Sequence, residues 1–301
     1  MEQAAKSTEL KKISVAFSAR EQAEGVGAKV RRFIGVQQLE LLDPFLMLDL
    51  FNVALPAGFP DHPHRGFETV TYMLRGEMSH EDFKGHKGVI GPGAIQWMTA
   101  GKGIVHSEIP MSFDTPAFGF QLWINLDKKN KYCEPRYQEF SAEQIPVYED
   151  DTIKAKVIAG QVFGVKGPIE ARVPTYFLDF YIKSGREYEH PIPQEWNSMI
   201  IVHSGSLEVQ GSKVLKAGDC AAFEISKANE QNIKIKALAD DTAFVLLAGQ
   251  PINEPMSRRG PFVLNTPEEL KKTFYDYSTG SNGFEGADSW ESKNQHLRYG
   301  K

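Results

Sequence analysis

The sequence predicts an all-β protein made of two tandem antiparallel β-barrels, and three observations support this. Short runs rich in β-branched and aromatic residues recur along the chain, as in "TVTYMLRGE", "AFGFQLWINL" and "PTYFLDFYI". The 26 glycines and 17 prolines stand mostly between these runs, where turns join short strands. Part of the chain also repeats the same order of strands and glycine turns. This pattern is typical of a sandwich or barrel architecture.

The internal repeat places two similar barrels along the chain. "TYMLRGEM" followed by "IGPGAIQWM" has a counterpart in "IIVHSGSLEV" followed by "LKAGDCAAF". In each copy a strand, a glycine turn (Gly76 or Gly205), a second strand and another glycine turn (Gly93 or Gly218) precede a third strand. The boundary is predicted near "EFSAEQIPVYEDD", residues 139–151, which gives one barrel over residues 1–140 and another over 141–301.

One short helix is predicted near the C-terminus, within the second domain. In "NTPEELKKTFYDY", Thr266 can cap the helix, Pro267 suits its first position and Glu269 completes a capping box. The tail from about Ser278 is polar and rich in glycine and serine, so we expect a surface loop or partial disorder there.

Composition limits the classes of function. A length of 301 residues favours two domains, and a formal charge of −5 without long charged blocks gives no broad surface for nucleic acid. Cys133 and Cys220 are too few for a disulfide framework and predict free thiols in a reducing compartment. Because no signal peptide or membrane-spanning apolar run is recognisable, we expect a soluble intracellular protein with no membrane partner.

Two histidine-containing pairs indicate a metal site. In "DHPHRGFETV", His62 and His64 occupy positions i and i+2, which share one face of a strand. In "GKGIVHSEIP", His106 and Glu108 repeat this spacing. A barrel that brought both strands together would assemble three imidazoles and a carboxylate. Such a set suits Fe(II), Mn, Ni or Cu, and octahedral geometry would leave two positions for water, substrate or O2.

Two further points concern the same ligands. Glu68 has the same parity as His62 and His64, so spacing alone does not decide between Glu68 and Glu108 as the carboxylate.

In the second repeat, the positions equivalent to the histidines hold Pro191, Pro193 and Gln231. His190 and His203 therefore have no further metal ligand at the repeated spacing and are predicted to be surface or structural residues. Only the first barrel is equipped to bind a metal.

The stretch "HPHRGFETVTYMLRGEMSHEDFKGHKGVIGPGAIQWMTAGKGIVHSE" closely resembles the pirins, two-barrel members of the cupin superfamily. The resemblance covers most of the chain and is densest from Asp61 to Pro110. It implies a bicupin of jelly-roll barrels with one iron, Fe(II) or Fe(III), in the first barrel, other divalent transition metals being alternatives. The ligands it implies are His62, His64, His106 and Glu108, which leaves Glu68 as a nearby supporting group.

The resemblance implies quercetin 2,3-dioxygenase-type activity, in which O2 opens the ring of a flavonol. Glu108 is then the first candidate for the base that accepts the flavonol proton, with Glu68 as the alternative. A small aromatic substrate would need a pocket, for which we name four aromatic residues that otherwise belong to the core: Phe59, Phe67, Trp97 and Phe120.

The resemblance also implies a different class of function. Some pirins are nuclear transcriptional cofactors whose bound iron acts as a redox sensor for binding transcription factors. This chain lacks a basic stripe, so such a role would use protein partners without direct nucleic-acid contact, in the cytoplasm, the nucleus or both. A metal-binding barrel acting on another small molecule is a third alternative. We favour dioxygenase chemistry because the ligand set leaves positions for O2 and substrate.

Overall fold

The computed structural model describes residues 9–225 and 231–299, and almost all regular structure in these ranges is β. The strands are β1 Ile13–Ser18, β2 Glu21–Glu24, β3 Ala28–Ile34, β4 Phe45–Val53, β5 Phe59–His64, β6 Phe67–Arg75, β7 Met78–Asp82, β8 Lys87–Ile90, β9 Ile95–Thr99, β10 Ile104–Pro110, β11 Ala117–Asn125, β12 Arg136–Phe140, β13 Val147–Glu149, β14 Ile153–Ala159, β15 Gln161–Val162, β16 Val165–Lys166, β17 Thr175–Ile182, β18 Glu187–Ile192, β19 Asn197–Ser204, β20 Ser206–Val209, β21 Lys213–Lys216, β22 Asp219–Phe223, β23 Gln231–Ala237, β24 Thr242–Gly249, β25 Ser257–Arg259 and β26 Phe262–Leu264. The α-helix in the described ranges is α1, Pro267–Ser278, and short 3₁₀ segments span Lys128–Asn130, Ala142–Gln144 and Lys293–Tyr299.

The strands form two separate compact units, and the prediction of two antiparallel β-barrels is confirmed. The first barrel comprises Arg20–Ile145 and Ile252–Lys301, and the second comprises Met1–Ala19 and Pro146–Pro251. Within the described ranges, no helix has the length and apolar character needed to cross a membrane.

The two terminal segments of the chain belong to barrels other than those expected from a single division at residue 140. Strand β1 pairs with β22 of the second barrel, whereas the C-terminal helix and tail belong to the first. The prediction assumed that each domain is one continuous segment. Pairing of a sheet edge with a distant strand and docking of a helix are long-range interactions, which local sequence patterns do not reveal.

The first barrel contains two main antiparallel sheets. One has seven strands in the order β12-β9-β6-β11-β4-β3-β2, and the other has four in the order β5-β10-β7-β8. Buried and partly exposed residues alternate along β7, as expected when one face of a strand is turned inward. All of β10 and most of β6 are buried, so both faces of these two strands are covered.

The second barrel repeats this arrangement with sheets in the orders β1-β22-β19-β24-β17-β14-β13 and β18-β23-β20-β21. The repeated glycine turns have the predicted role, since Gly76 and Gly205 have φ values of 69° and 64°. A Cβ at Gly76 would lie 2.5 Å from the Pro116 carbonyl oxygen, and one at Gly205 would lie 2.7 Å from the Thr242 Cα. Both turns therefore require glycine for conformation and for space.

Helix α1 begins as the sequence predicts. The Glu269 backbone N–H donates to the Thr266 hydroxyl at 3.2 Å, and the Thr266 backbone N–H donates to Glu269 Oε2 at 3.0 Å. The following tail contacts the first barrel, where Ser107 donates to Asn294 Oδ1 and the Ser292 N–H donates to Asp61. This tail therefore lies beside the strand that contains His62 and His64.

Candidate metal centre

Adjacent strands of the first barrel place the three predicted histidines together. His62 and His64 lie on β5, and His106 lies on the antiparallel neighbour β10. In the strand register His62 stands directly opposite His106, and His64 stands opposite Ile104. Since directly paired residues project from the same side of a sheet, this register points the imidazoles of both strands into the barrel.

The three imidazoles converge on one point. One ring nitrogen from each residue lies within 4.8 Å of the others. The Nε2 atoms of His62 and His106 are 3.1 Å apart. Two ligand atoms held at about 2.1 Å from one transition metal are separated by about 3 Å when they are adjacent, so this spacing fits a shared metal.

The protonation state of these histidines also fits a metal. Burial lowers the pKa of His62 and lowers that of His64 and His106 well below the usual range, which favours the neutral ligand form. The His62 Nδ1–H donates to the Pro60 carbonyl at 2.8 Å, leaving Nε2 with its lone pair. Both ring nitrogens of His64 and Nδ1 of His106 are buried without a protein hydrogen-bond partner. Buried polar atoms of this kind require an explanation, and a bound cation supplies one.

Glu108 faces the same space but is held differently. A shift in strand register places it opposite Phe59 on β5. Its Oε1 accepts a hydrogen bond from Thr71 at 2.8 Å, and its Oε2 lies 3.4 Å from the donating Gln121 Nε2. Burial raises the pKa of Glu108 to about 7, opposed by the Thr71 hydrogen bond. The carboxylate is outside the group of three converging nitrogens, so its role as fourth ligand stays a prediction.

Glu68 lies apart from the histidines. The parity argument assumed one uninterrupted strand, but β5 ends at His64 and β6 begins at Phe67 in the other sheet. Glu68 is completely buried, and its Oε1 accepts a hydrogen bond from the Thr99 hydroxyl at 2.7 Å. It therefore lies on the face of β6 opposite Thr71 and outside the cavity lining.

A cavity of about 600 Å³ opens beside the histidines. His62, His64 and Glu108 form part of its wall, and so does Phe59, one of the four predicted aromatic residues. Its other lining residues are Glu24, Gly25, Val26, Val30, Arg32, Met47, Asp49, Phe51, Pro60, Asp61, Thr71, Met78, Gln121, Trp123, Arg258, Gly260 and Pro261.

The other three predicted pocket aromatics are core residues. Phe67, Trp97 and Phe120 are completely buried and outside the cavity lining, which corrects the prediction for these positions. Phe67 packs edge-on against His64, with ring centroids 5.1 Å apart. Trp123, which was not predicted from the sequence, packs against Phe67 with the two rings tilted by 39° and does line the cavity. Successive side chains of β11 point to opposite faces of the sheet, which was the available signal for Trp123. This alternation does not show which of the two faces lines the barrel interior.

Gln121 is a further residue of the site that was not predicted from the sequence. It lies on β11 between apolar neighbours, and its side-chain oxygen stands 2.7 Å from the Thr71 hydroxyl oxygen. Thr71 and Gln121 together fix the orientation of Glu108. A glutamine within an otherwise apolar strand was the signal that could have identified it.

The second barrel has no equivalent cluster among its described residues. Gln231, which matches His106 in the repeat, pairs with Ile192. His190 is buried and contacts the Tyr188 hydroxyl at 2.7 Å, while His203 Nε2 lies 2.9 Å from Asp179 Oδ1. Both histidines are structural, which is one of the two predicted roles. In the described parts of the chain, groups able to hold a metal occur in the first barrel.

Comparison with known proteins identifies the family. The pirin family model matches residues 27–124, and the pirin C-terminal cupin domain model matches residues 177–283. The chain belongs to the pirin family. A pirin of Rattus norvegicus is 45% identical over 295 residues, covering 94% of this chain and 97% of the relative. A pirin-like protein of Solanum lycopersicum is 50% identical over 278 residues, covering 91% and 94%.

A solved structure also resembles this pirin-family chain over nearly its whole length. Quercetin 2,3-dioxygenase from Acinetobacter baumannii superposes with a TM-score of 0.82 at 31% sequence identity. The match covers 90% of this chain and 98% of that structure. The resemblance stated from the sequence and the two-cupin fold are thereby confirmed.

Proposed function

We propose that the chain is an iron-dependent dioxygenase of the quercetin 2,3-dioxygenase type. The observation that supports it best is the convergence of three imidazoles, two of which (His62 and His64) line a cavity of about 600 Å³. The similarity to the Acinetobacter baumannii enzyme points to the same chemistry. His62, His64, His106 and Glu108 would hold one iron per chain, with other divalent transition metals as alternatives.

The residues around the cavity suit a flavonol. When bound, iron supplies the Lewis acidity and the one-electron chemistry that let O2 react with an aromatic enolate. Glu108 would accept the flavonol hydroxyl proton, and Thr71 and Gln121 hold its carboxylate for that transfer. Glu68 is directed at Thr99 outside the cavity, so Glu108 is the better candidate for the base.

The cavity also has the size and surface of a small-molecule site. Its volume lies within the range of about 300–1,000 Å³ that ligand pockets occupy. Phe59, Phe51 and Trp123 provide apolar faces on which a flat ring system can pack, and Arg258 stands 5.2 Å from the Trp123 ring centre. A cation beside an aromatic surface favours a phenolate-bearing ligand. The proposed partners are therefore a small aromatic substrate and O2.

The test begins with metal analysis of the purified protein, followed by anaerobic loading with Fe(II) and an oxygen-electrode assay with quercetin. We expect O2 uptake with loss of the flavonol absorbance, and neither in Glu108→Ala. Loading with Ni, Mn or Cu in parallel identifies the metal that supports turnover. The Glu208→Ala variant of the second barrel is the control for loss of a carboxylate and is expected to keep full activity.

The contradicting result would be stoichiometric iron without turnover of any flavonol. That outcome favours the second class of function, a nuclear transcriptional cofactor in which iron senses redox state for protein binding. Transcription-factor partners and a cytoplasmic or nuclear location belong to that alternative. They would be sought by comparing the proteins captured by the oxidised and reduced forms.

A further inference from the structure

A second group of potential metal ligands lies in the first barrel, next to the three histidines described above, since His80 pairs directly with Glu108 across strands β7 and β10. His80 on β7, His86 in the turn before β8 and Glu139 on β12 each offer one ligand atom. These atoms all lie within 4.8 Å of one another. The proposed dioxygenase chemistry uses none of them.

One carboxylate oxygen lies against both imidazoles. Glu139 Oε1 is 3.1 Å from His80 Nε2 and 3.0 Å from His86 Nε2. Ligand atoms bound to one tetrahedral zinc at about 2.0–2.1 Å are separated by about 3.3 Å, so small side-chain movements would complete a site. The arrangement is already close to the geometry that a metal would impose.

His80 Nε2 is the observation that points to a ligand. The side chain is 2% exposed, and this nitrogen has no hydrogen-bond partner because its approach to Glu139 lacks hydrogen-bond geometry. Burial lowers the pKa of His80 to about 4, which keeps the ring neutral near pH 7. A buried imidazole nitrogen without a hydrogen-bond partner requires an explanation, and a cation bound by both His80 Nε2 and the Glu139 carboxylate supplies one.

The neighbouring strand fixes the position of the His80 ring. Gly88 on β8 pairs directly with His80, and a Cβ at Gly88 would stand only 2.7 Å from His80 Nε2. Glycine at this position therefore lets the imidazole pack closely against β8.

Surrounding residues hold the other two ligands in place. Gln96 Nε2 donates to Glu139 Oε1 at 2.6 Å. Tyr137 stacks on His86 with ring centroids 3.9 Å apart, and the His86 backbone N–H donates to Asp82 Oδ1 at 2.9 Å. Partners that orient ligand side chains before binding are characteristic of metal sites.

We propose that His80, His86 and Glu139 form a second metal site that binds Zn²⁺. Two imidazoles and one carboxylate are a familiar zinc ligand set, with water in the fourth position. That position is open here, since the His86 and Glu139 side chains are 34% and 31% exposed. Strands β8 and β12 are edge strands of the two sheets of the first barrel. Zinc at this position fastens the β7–β8 hairpin of one sheet to the edge of the other.

Zinc counting on the full chain tests this proposal without any assay of turnover. Metal-depleted protein is dialysed against Zn²⁺ and analysed for bound zinc. We expect two zinc ions per chain, one in His86→Ala, one in His62→Ala and none in the double variant. His296→Ala removes an exposed histidine outside both groups and is expected to keep two. Because His86 and Glu139 are partly exposed, replacing either leaves the barrel folded, which circular dichroism verifies.

A second readout uses stability. In the His62→Ala background, Zn²⁺ is expected to raise the thermal midpoint through the second site alone. Adding Glu139→Gln should abolish that rise. One zinc per unmodified chain that His62→Ala removes, or a zinc content that His86→Ala leaves unchanged, would overturn the proposal. Neither result depends on flavonol turnover, so failure of this site and failure of the proposed dioxygenase activity are separate findings.

Discussion

Arg65 and Asp276 form a buried ion pair with Arg65 Nη1 2.8 Å from Asp276 Oδ2, each side chain 1% exposed. The guanidinium also donates to the carbonyl oxygens of Lys102 and Asn282 and to the Thr273 hydroxyl. Arg65 directly follows His64 in the chain, and Asp276 lies on α1. The pair therefore fastens the C-terminal helix to the end of the strand that bears two of the candidate metal ligands.

Removing the acid of this pair should destabilise the first barrel. Asp276→Ala leaves the Arg65 guanidinium buried without a counter-charge, and breaking a buried pair in this way costs about 3–5 kcal/mol. Urea unfolding followed by circular dichroism measures the loss. Lys272→Ala is the matched control, because Lys272 also contacts Asp276 but is 59% exposed. Exposed pairs contribute at most about 1 kcal/mol. Equal losses of unfolding free energy in the two variants would contradict the conclusion that the buried Arg65–Asp276 pair contributes more to stability than the exposed Lys272 contact.

Sequence patterns were sufficient for features that depend on local order. The glycine turns at Gly76 and Gly205 and the capping box of Thr266 and Glu269 follow from neighbouring residues, and the structure has them as predicted. The shared direction of His62 and His64 was also predictable, since residues i and i+2 of one strand lie on the same face.

Features that depend on distant parts of the chain were not predictable. Nothing near Arg65 indicates that its partner is Asp276, and nothing near β1 indicates that it pairs with β22. The group of His80, His86 and Glu139 was also not predicted, because Glu139 lies on a different sheet from His80 and approaches the two histidines only when the sheets pack together. Spacing within one strand identifies pairs of ligands, whereas contact between sheets is fixed only by the complete fold.

Substitution of a predicted metal-ligand histidine should lower the iron content, whereas substitution of a structural histidine should not. His62→Ala removes one of three converging imidazoles and is expected to abolish the first-barrel iron, a loss of one iron per chain. His203→Ala should leave iron content unchanged, because His203 contacts Asp179 in the second barrel. Elemental analysis of Fe(II)-loaded variants measures both. Iron lost from His203→Ala while its circular dichroism spectrum is unchanged would show that the repeat-based assignment of the site is wrong.

Acid should weaken the second barrel through His190. Burial lowers the pKa of His190 from 6.5 to about 4, so the unfolded chain binds this proton first as pH falls. The contribution of the neutral ring to stability is complete above pH 6.5 and is lost as pH falls towards 4. At 1.36 kcal/mol per pKa unit the loss is on the order of 3 kcal/mol.

Comparison with a non-titrating residue isolates this effect. His190→Leu keeps a similar volume between Tyr176 and Phe180, whose rings surround the histidine. We expect the urea midpoint of the variant to change less between pH 7 and pH 4 than that of the unmodified chain. Identical pH dependence in the two proteins would mean that His190 does not titrate in this range on folding.

Substrate affinity should depend on Phe59 more strongly than turnover does. Phe59 lines the cavity beside His62 and Glu108, so in the proposed dioxygenase it packs against the flavonol without touching the reacting atoms. Loss of an aromatic contact worth about 1.4 kcal/mol corresponds to a tenfold change in affinity. Phe59→Ala is therefore expected to raise KM for quercetin roughly tenfold with little change in kcat, as for binding shared by ground and transition states. Phe113→Ala, at an aromatic residue that is 51% exposed and outside the cavity lining, is the control. A fall in kcat with unchanged KM in Phe59→Ala would place the substrate in a different part of the barrel.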